Sequence, residues 1–541
     1  MTEFWPWVPI LSAAFAYLAW QRLLAYLRYF QQEGYAALRF LRWTNVRSLT
    51  DPAFWVAIAS AFLYLPDPLL AVVLFAVGMV VLGLVQPEPR RSGKIPLRMT
   101  WRARRVLGVA MVLAVSAFVL LIRIFVDAEV RAPLVAASVV IALLPLALLL
   151  ADRALAPYER VTQRTFYADA VATLARVDPF IVGITGSYGK SSAKAMLAHI
   201  LQFHAPTLAA AGSINTVMGV TRHIREDLVP GHRFMVVEMG AYGVGSIKRL
   251  CALTPPAAGL ITAVGDMHLE RFGSTDAIMQ AKSELARALP QGGVLVCNAD
   301  SPNALRIAET HTHCRVLLYG EHHPGTLDTR VEQMRFTKAG THFVLRTRER
   351  SFECLTPLLG RPIILNLAGA FTLAVAVGAD PDVTVASFRT LRPVSNRLEV
   401  VDDAGVTWIR DAYNSNQFGF RAALEVAADL PAARRFLVTP GVIELGRAQH
   451  AVNAALSKEA AAVCDTTVVV SEINRAAFVE GHRQAGRDDR LVTVSNREEA
   501  FRWLHDHLHE GDIVILENDL PDLYERSAGL FWPAGGRGRA S

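Results

Sequence analysis

A lysine and two serines close a glycine-rich turn in Gly183-Ile184-Thr185-Gly186-Ser187-Tyr188-Gly189-Lys190-Ser191-Ser192, an order of residue types suited to holding phosphate. Apolar Phe180-Ile181-Val182 precedes it, and Ala193 to Leu201 follows with a helical pattern. The stretch therefore reads as strand, glycine turn and helix N-terminus, with backbone N–H groups and the helix dipole turned toward an anion. Thr185, Gly186, Ser187 and Gly189 would shape the cradle for ATP. Lys190 would reach the terminal phosphates, Ser191 would offer its hydroxyl to Mg²⁺, and Ser192 would complete the nucleotide-binding set. Ile184 stands where the strict G-x-x-x-x-G-K-[ST] spacing has its first glycine.

Three more residues invite chemistry. Glu238 ends the apolar run Phe234-Met235-Val236-Val237, and a carboxylate at the carboxyl end of a parallel strand lies where ligands bind and can take Mg²⁺. His268 follows Leu260-Ile261-Thr262 within Gly265 to Ser274, and Lys282 sits with Glu284 on the helix-like Gln280-Ala281-Lys282-Ser283-Glu284-Leu285.

The elements that must position these residues alternate between strand-like and helix-like. Phe234 to Glu238, Ala258 to Thr262 and Gly293 to Cys297 are apolar runs separated by helical stretches such as Thr275 to Leu289. That alternation implies a doubly wound parallel sheet. Residues 316–356 suggest short antiparallel strands, and Leu359 to Gly378 an alanine-rich helix. A second α/β block begins near Leu391-Arg392-Pro393, with strands at Thr407-Trp408-Ile409, Arg435 to Val438, Thr466 to Val470 and Asp512 to Leu516.

Ahead of the phosphate loop the composition changes. The 541 residues carry a net charge of +6, yet only 19% are charged and 52% are hydrophobic, and the apolar excess lies before residue 152. Five candidate membrane spans emerge there: Phe4 to Tyr26, Ala53 to Leu65, Leu69 to Val85, Val106 to Val126 and Pro133 to Ala151. The loops holding Arg28, Arg39, Arg42 and Arg47, and Arg90 to Arg105, are basic, whereas Pro66-Asp67-Pro68 and Asp127 to Arg131 are not. Positive loops stay inside, so the N-terminus is expected outside and everything after Asp152 in the cytoplasm. The five cysteines form no C-x-x-C pair, which fits a reducing compartment and excludes a disulfide framework. No aromatic-basic nucleic-acid surface stands out.

The expected organisation is an α-helical transmembrane domain of about five helices over 1–151, a connector over 152–178, a P-loop doubly wound central domain over 179–390, a smaller Rossmann-like α/β C-terminal domain over 391–530, and a disordered tail over 531–541.

Thr185 to Ser191, Glu238-Met239-Gly240, His268 to Ser274, Ala281-Lys282-Ser283-Glu284, Asp411-Ala412-Tyr413-Asn414-Ser415-Asn416 and Glu444-Leu445-Gly446 occur in this order. The series resembles the Mur ligase family, with the best correspondence to the branch that adds D-alanyl-D-alanine to the peptidoglycan precursor. The resemblance implies ATP and two Mg²⁺ sites, one on Ser191 and Glu238 and one on His268. It also implies that Lys282 is carbamylated and faces metal, that Asn366 contacts adenine, that Asp411 lies near the ribose, and that Arg397 reaches phosphate. Lys190, Lys282 and His268 would then carry the reaction: a substrate carboxylate attacks the γ-phosphate, and an amine attacks the resulting acyl phosphate.

Pro362-Ile363 stands where the family has a His-Asn pair, and Glu517-Asn518-Asp519 where that branch has Lys-Gly-Ser. Only the connector and the apolar block precede the phosphate loop, where the family places a UDP-sugar-binding domain. These features point to a multi-pass protein of the bacterial inner membrane that ligates a lipid-linked or polymeric envelope substrate to an amino acid or peptide amine, with envelope-synthesis proteins as possible partners. A non-catalytic nucleotide-binding scaffold is the alternative class.

Overall fold

The computed structural model describes residues 8–48, 68–86, 88–90, 96–124, 132–265, 272–311, 313–393, 396–412, 416–443 and 445–518. The chain divides into two compact units, one from its first 163 residues and one spanning Arg164–Asp519.

The first unit is helical. Helices Val8–Gln32, Pro68–Val85, Trp101–Ile124 and the start of Ala132–Val177 pack around Phe15, Leu18, Phe118, Ala137 and Leu144, with Phe15 and Phe118 stacked at 4.3 Å. Arg102 pairs with Asp152 at 2.8 Å and Arg105 with Glu159 at 2.7 Å. Among the described residues, three helices are long and apolar enough to cross a membrane: Pro9–Gln32, Trp101–Ile124 and Pro133–Val177. Leu70–Val85 is a shorter apolar helix, and the expected span Ala53 to Leu65 lies outside the described residues. Two features differ from the expectation. The first basic loop contains a helix, Ala37–Ser48. The fifth span and the polar connector form one continuous helix, Ala132–Val177, that runs through Pro145 and Pro157. Composition changes sharply at residue 152, but both the apolar and the polar stretch are rich in helix-forming residues, and the helix continues past the backbone donors lost at Pro145 and Pro157.

The second unit holds two sheets. Strands β1 (Phe180–Thr185), β2 (Thr207–Ala209), β3 (Phe234–Glu238), β4 (Ala258–Ile261), β5 (Val294–Asn298), β6 (Arg315–Gly320), β7 (Thr329–Thr337), β8 (Gly340–Thr347) and β9 (Ser351–Thr356) form one sheet in the order β2-β3-β1-β4-β5-β6-β7-β8-β9. It is parallel through β7 and ends in the antiparallel pairs β7–β8 and β8–β9. The chain leaves β1 toward β3 on one side and later returns on the other through β4, so β1 is the topological switch point, beside which ligands bind in such sheets. Helix Lys190–Gln202 and the buried helix Arg361–Ala376 cover one face through Met196, Leu197, Ile200, Ile364, Leu367 and Phe371.

The second sheet comprises β10 (Glu399–Asp403), β11 (Val406–Asp411), β12 (Arg435–Thr439), β13 (Thr466–Val470), β14 (Leu491–Val494) and β15 (Ile513–Glu517), in the order β10-β11-β15-β12-β13-β14. Only β10 is antiparallel to its neighbour. Alternation of apolar runs with helices makes both cores, as expected for crossover connections in a parallel sheet.

Candidate active site

The site starts where β1 ends. Gly189 has φ 77° and caps the helix Lys190–Gln202; a Cβ there would collide with the Asn366 side chain, and one on Gly186 would collide with Thr262 Oγ1. Glycine at both positions lets the loop turn between β4 and the buried helix Arg361–Ala376. Thr185 Oγ1 donates to the Met239 carbonyl at 2.9 Å, and Ser187 Oγ donates to the Gly265 carbonyl at 2.8 Å, so both hydroxyls fix the loop to neighbouring strands. Lys190 Nζ folds back onto the Gly186 and Ser187 carbonyls at 2.9 and 3.3 Å. Ser191 Oγ lies 3.0 Å from Ser213 Oγ.

Glu238, at the end of β3, is 2% exposed. Its Oε1 accepts from Asn215 Nδ2 at 2.9 Å, and Asn215 Oδ1 in turn accepts from the Tyr242 hydroxyl at 3.2 Å. Oε2 has no hydrogen-bond donor among the described residues; its neighbour is Lys194 Nζ at 3.6 Å. Lys282, 4% exposed on helix Thr275–Ala288, lines a recess of about 50 Å³ with Ser187, Lys190, Asn215, Gly240 and Tyr242. Burial lowers the Lys282 ammonium well below the usual lysine range, and the charge of Lys190 lowers it further. Burial also lowers Lys190 and Lys194, while Glu238 opposes the shift in both. Glu284, next to Lys282 in sequence, turns away from the recess: its carboxylate accepts from the Gly245 and Lys248 amides at 2.5 and 2.8 Å and anchors the helix Ser246–Leu253.

A cavity of about 300 Å³ continues from the loop toward the second sheet. Tyr188, Gly189, Asn366, Arg397, Asp411 and Phe418 are among its walls. The Tyr188 and Phe418 rings meet at 5.3 Å. Asp411 closes β11 and accepts from the Leu398 amide at 3.3 Å. Burial raises its carboxyl to about 6, against the lowering effect of Arg397.

Thus Ser187, Lys190 and Lys282 line the recess, with Thr185, Gly186 and Ser191 on the same loop and Glu238 on the neighbouring strand, and Gly189, Ser192, Asn366, Arg397 and Asp411 line the larger cavity. His268, residues 413–415 and Glu444 lie outside the described residues. Among the described residues no group of three or more His, Cys, Asp or Glu side chains is placed to hold a metal ion. A buried carboxylate oxygen without a donor, at the end of the strand next to the one that opens the phosphate-type loop, suits Mg²⁺ held mainly by nucleotide phosphates, which needs only one or two protein carboxylates.

The structure adds residues that the sequence did not single out. Asn298, Asp300 and Ser301 form a cavity wall beyond β5, where Asp300 binds the Glu321, His322 and His323 amides at 2.6 to 2.9 Å. An Asn-x-Asp-Ser-Pro run directly after a parallel strand was the available signal. Asn215 and Lys194 carried none, because a loop after a three-residue strand and a lysine inside a helix are both ordinary. Pro362 and Ile363 also line the cavity, so an apolar wall stands at that point. The neighbouring Arg361 joins the two sheets' layers, pairing with Glu321 and, at 2.6 Å, with Glu425.

Residues 184–374 match the Mur ligase middle domain and residues 396–517 the Mur ligase, glutamate ligase domain. The chain is 33% identical over 317 residues to the UDP-N-acetylmuramoyl-tripeptide–D-alanyl-D-alanine ligase of Escherichia coli (strain K12), covering 58% of this chain and 66% of that protein. It is 30% identical over 367 residues to the ligase of the same name from Mycobacterium tuberculosis (strain ATCC 25618 / H37Rv), covering 62% and 70%. The fold is also that of the MurF ligase from Thermotoga maritima in complex with ADP, with a TM-score of 0.60 at 22% identity, over 67% of this chain and 81% of that one.

Proposed function

From its membership of the Mur ligase family, whose members are ATP-dependent carboxylate–amine ligases, we propose that this chain is a membrane-bound ligase. It activates a carboxylate of a cell-envelope precursor or polymer as an acyl phosphate and joins it to the amine of an amino acid or peptide.

The observation that carries this reading is the charge of the buried recess. Glu238 lies 3.6 Å from Lys194 and within electrostatic reach of Lys190 and Lys282, and burial lowers all three ammonium groups, so the site favours added negative charge. Buried charges need partners, and the anions that fit are nucleotide phosphates and a substrate carboxylate. Lys190 and the loop amides hold the phosphates. Ser191 and Glu238 would hold Mg²⁺, and His268 a second ion. Bound Mg²⁺ neutralises charge developing on the transferred phosphoryl group. Arg397 and Asp411, which line the cavity with Asn366, would hold the sugar-phosphate part of ATP from the second sheet, and Asn366 would meet the base.

Burial lowers the Lys282 ammonium well below the usual lysine range, which favours the neutral amine that uptake of carbon dioxide requires. Its nitrogen forms the C–N bond, one proton leaves to solvent, and the new carboxylate supplies an anion that the recess lacks.

Membrane attachment rests on the three long apolar helices and on the uncovered Val112, Val119 and Leu120 of Trp101–Ile124. With the basic loops inside, the two α/β domains work in the cytoplasm at the bacterial inner membrane, on a lipid-linked or polymeric carboxylate.

The test is ADP release by the full chain in detergent, offered UDP-linked and lipid-linked muramoyl peptides with D-alanyl-D-alanine. Release is expected with a matched pair and is lost in Lys282→Ala. Wild-type turnover in that variant sinks the ligase mechanism, and nucleotide binding without turnover on any envelope carboxylate favours the scaffold. Recovery of the chain in the soluble fraction after cell lysis overturns the membrane assignment.

A further inference from the structure

Lys194 has no role in the mechanism above, yet it is among the most buried charges of the unit. It lies one helical turn after Lys190 on the same helix, and its side chain is 4% exposed. Residues four apart on a helix share a face, so both ammonium groups enter the same interior. Lys190 returns to its own loop. Lys194 instead crosses to the segment after β2, where its Nζ donates to the Gly212 carbonyl. The same ammonium stands 3.6 Å from Glu238 Oε2, the oxygen without a hydrogen-bond donor. Asn215, three residues after Gly212, holds the other oxygen of that carboxylate. The 212–215 segment thus carries both the tether of Lys194 and the clamp of Glu238, and Ser213 touches Ser191.

We propose that Lys194 is a positioning residue that acts as an internal counter-ion. It neutralises Glu238 while no divalent cation is present, and it yields the Oε2 side of the carboxylate when one arrives, remaining held by Gly212. Two physical requirements meet in this arrangement. A buried carboxylate with no partner destabilises the fold, so the metal-free chain needs a cation at that position. A fixed cation a few ångströms from an incoming divalent ion also repels it, so metal affinity is kept low until nucleotide phosphates add negative charge. The consequence is that the chain binds Mg²⁺ poorly alone and well together with nucleotide. This inference rests on the reading of Glu238 as the metal-facing carboxylate.

The experiment uses the full chain in detergent, with Mn²⁺ as probe, followed by electron paramagnetic resonance without and with ADP, and thermal unfolding without metal. In Lys194→Met, Mn²⁺ affinity without nucleotide should rise at least tenfold, the metal-free midpoint should fall, and added Mn²⁺ should raise it more than in the wild type. Lys194→Arg should behave as wild type. Unchanged or weaker Mn²⁺ binding in Lys194→Met overturns the proposal. If that variant does not fold, Glu238→Gln and the double variant Lys194→Met/Glu238→Gln decide. The double variant, a neutral pair, should be more stable than Glu238→Gln; equal or lower stability overturns the proposal. Glu238→Gln also tests the underlying reading separately: wild-type Mn²⁺ binding in it means that Glu238 does not face the metal, whatever Lys194 does.

Discussion

The recess at the lysines and the cavity beside Asn366 are made by opposite means. At the loop end, charge is concentrated and buried: Lys190 and Lys282 line a recess of about 50 Å³, and Lys194 stands 3.6 Å from the buried Glu238, while hydrogen bonds fix the loop to segments that follow neighbouring strands of the same sheet. At the base end the volume is about 300 Å³ and the walls are mostly apolar. There Tyr188 from the loop meets Phe418 from the second α/β block. The first end depends on electrostatics inside one domain, and the second on contact between two. A perturbation at the first should therefore act on turnover, and one at the second on affinity and stability.

Lys190→Met sets the upper limit of that contrast. Loss of one buried donor aimed at developing charge costs on the order of 10²–10³ in kcat, so ADP release should fall by that factor while circular dichroism stays unchanged. A loss confined to the KM for ATP would break the distinction.

Asp411→Asn acts at the other end, and its effect depends on pH. Its folded-state carboxyl titrates at about 6 against an unfolded value of 3.8, so the folded state binds the extra proton between them. That stability is present below 3.8 and is lost as pH rises through 6. Keeping the buried group ionised at pH 7 then costs roughly 3 kcal/mol. The asparagine variant should gain roughly 1–3 kcal/mol at pH 7 and show a flatter profile between pH 4 and 6 in urea denaturation, while binding nucleotide more weakly. A parallel fall in stability and affinity would show that Arg397 needs the charge more than burial opposes it.

Phe418→Ala should weaken ADP binding by about two- to tenfold, the value of an aromatic pair of roughly 0.5–1.5 kcal/mol, measured by isothermal titration, with kcat at saturation preserved. A fall in kcat instead would mean that the base end also sets phosphate geometry. Arg361→Gln should be the mildest. Its pairs with Glu321 and Glu425 are about one-third exposed on the arginine side, and such pairs are worth up to about 1 kcal/mol. Urea denaturation should register a shift of that size, and a larger one would make this pairing a main tie between the domains.

What could be read in the linear order follows the same division. Gly186, Gly189, Lys190 and Ser191 lie within six residues of one another, and the cradle they form depends on a local strand–turn–helix geometry that short-range pattern specifies. Glu238 was legible because an apolar run ending in a carboxylate fixes both the strand and the end that carries the charge. The alternation of strands and helices determined the parallel sheets in the same way. Lys282 and Lys194 show where that stops. Each is one lysine in an amphipathic helix, and only packing decided that both face inward. Their burial around one carboxylate is a long-range property, since residues 194, 238 and 282 meet only because β1, β3 and the helix after β4 are neighbours. Phe418 was silent for the same reason, and Asn298 and Asp300 had only the weak signal of an Asn-x-Asp-Ser-Pro run after a strand: a cavity wall is defined by what stands opposite it. The apolar helices were readable as long hydrophobic runs, whereas the continuity of Ala132–Val177 across a sharp change in composition, and past the donors lost at Pro145 and Pro157, appeared only in the structure.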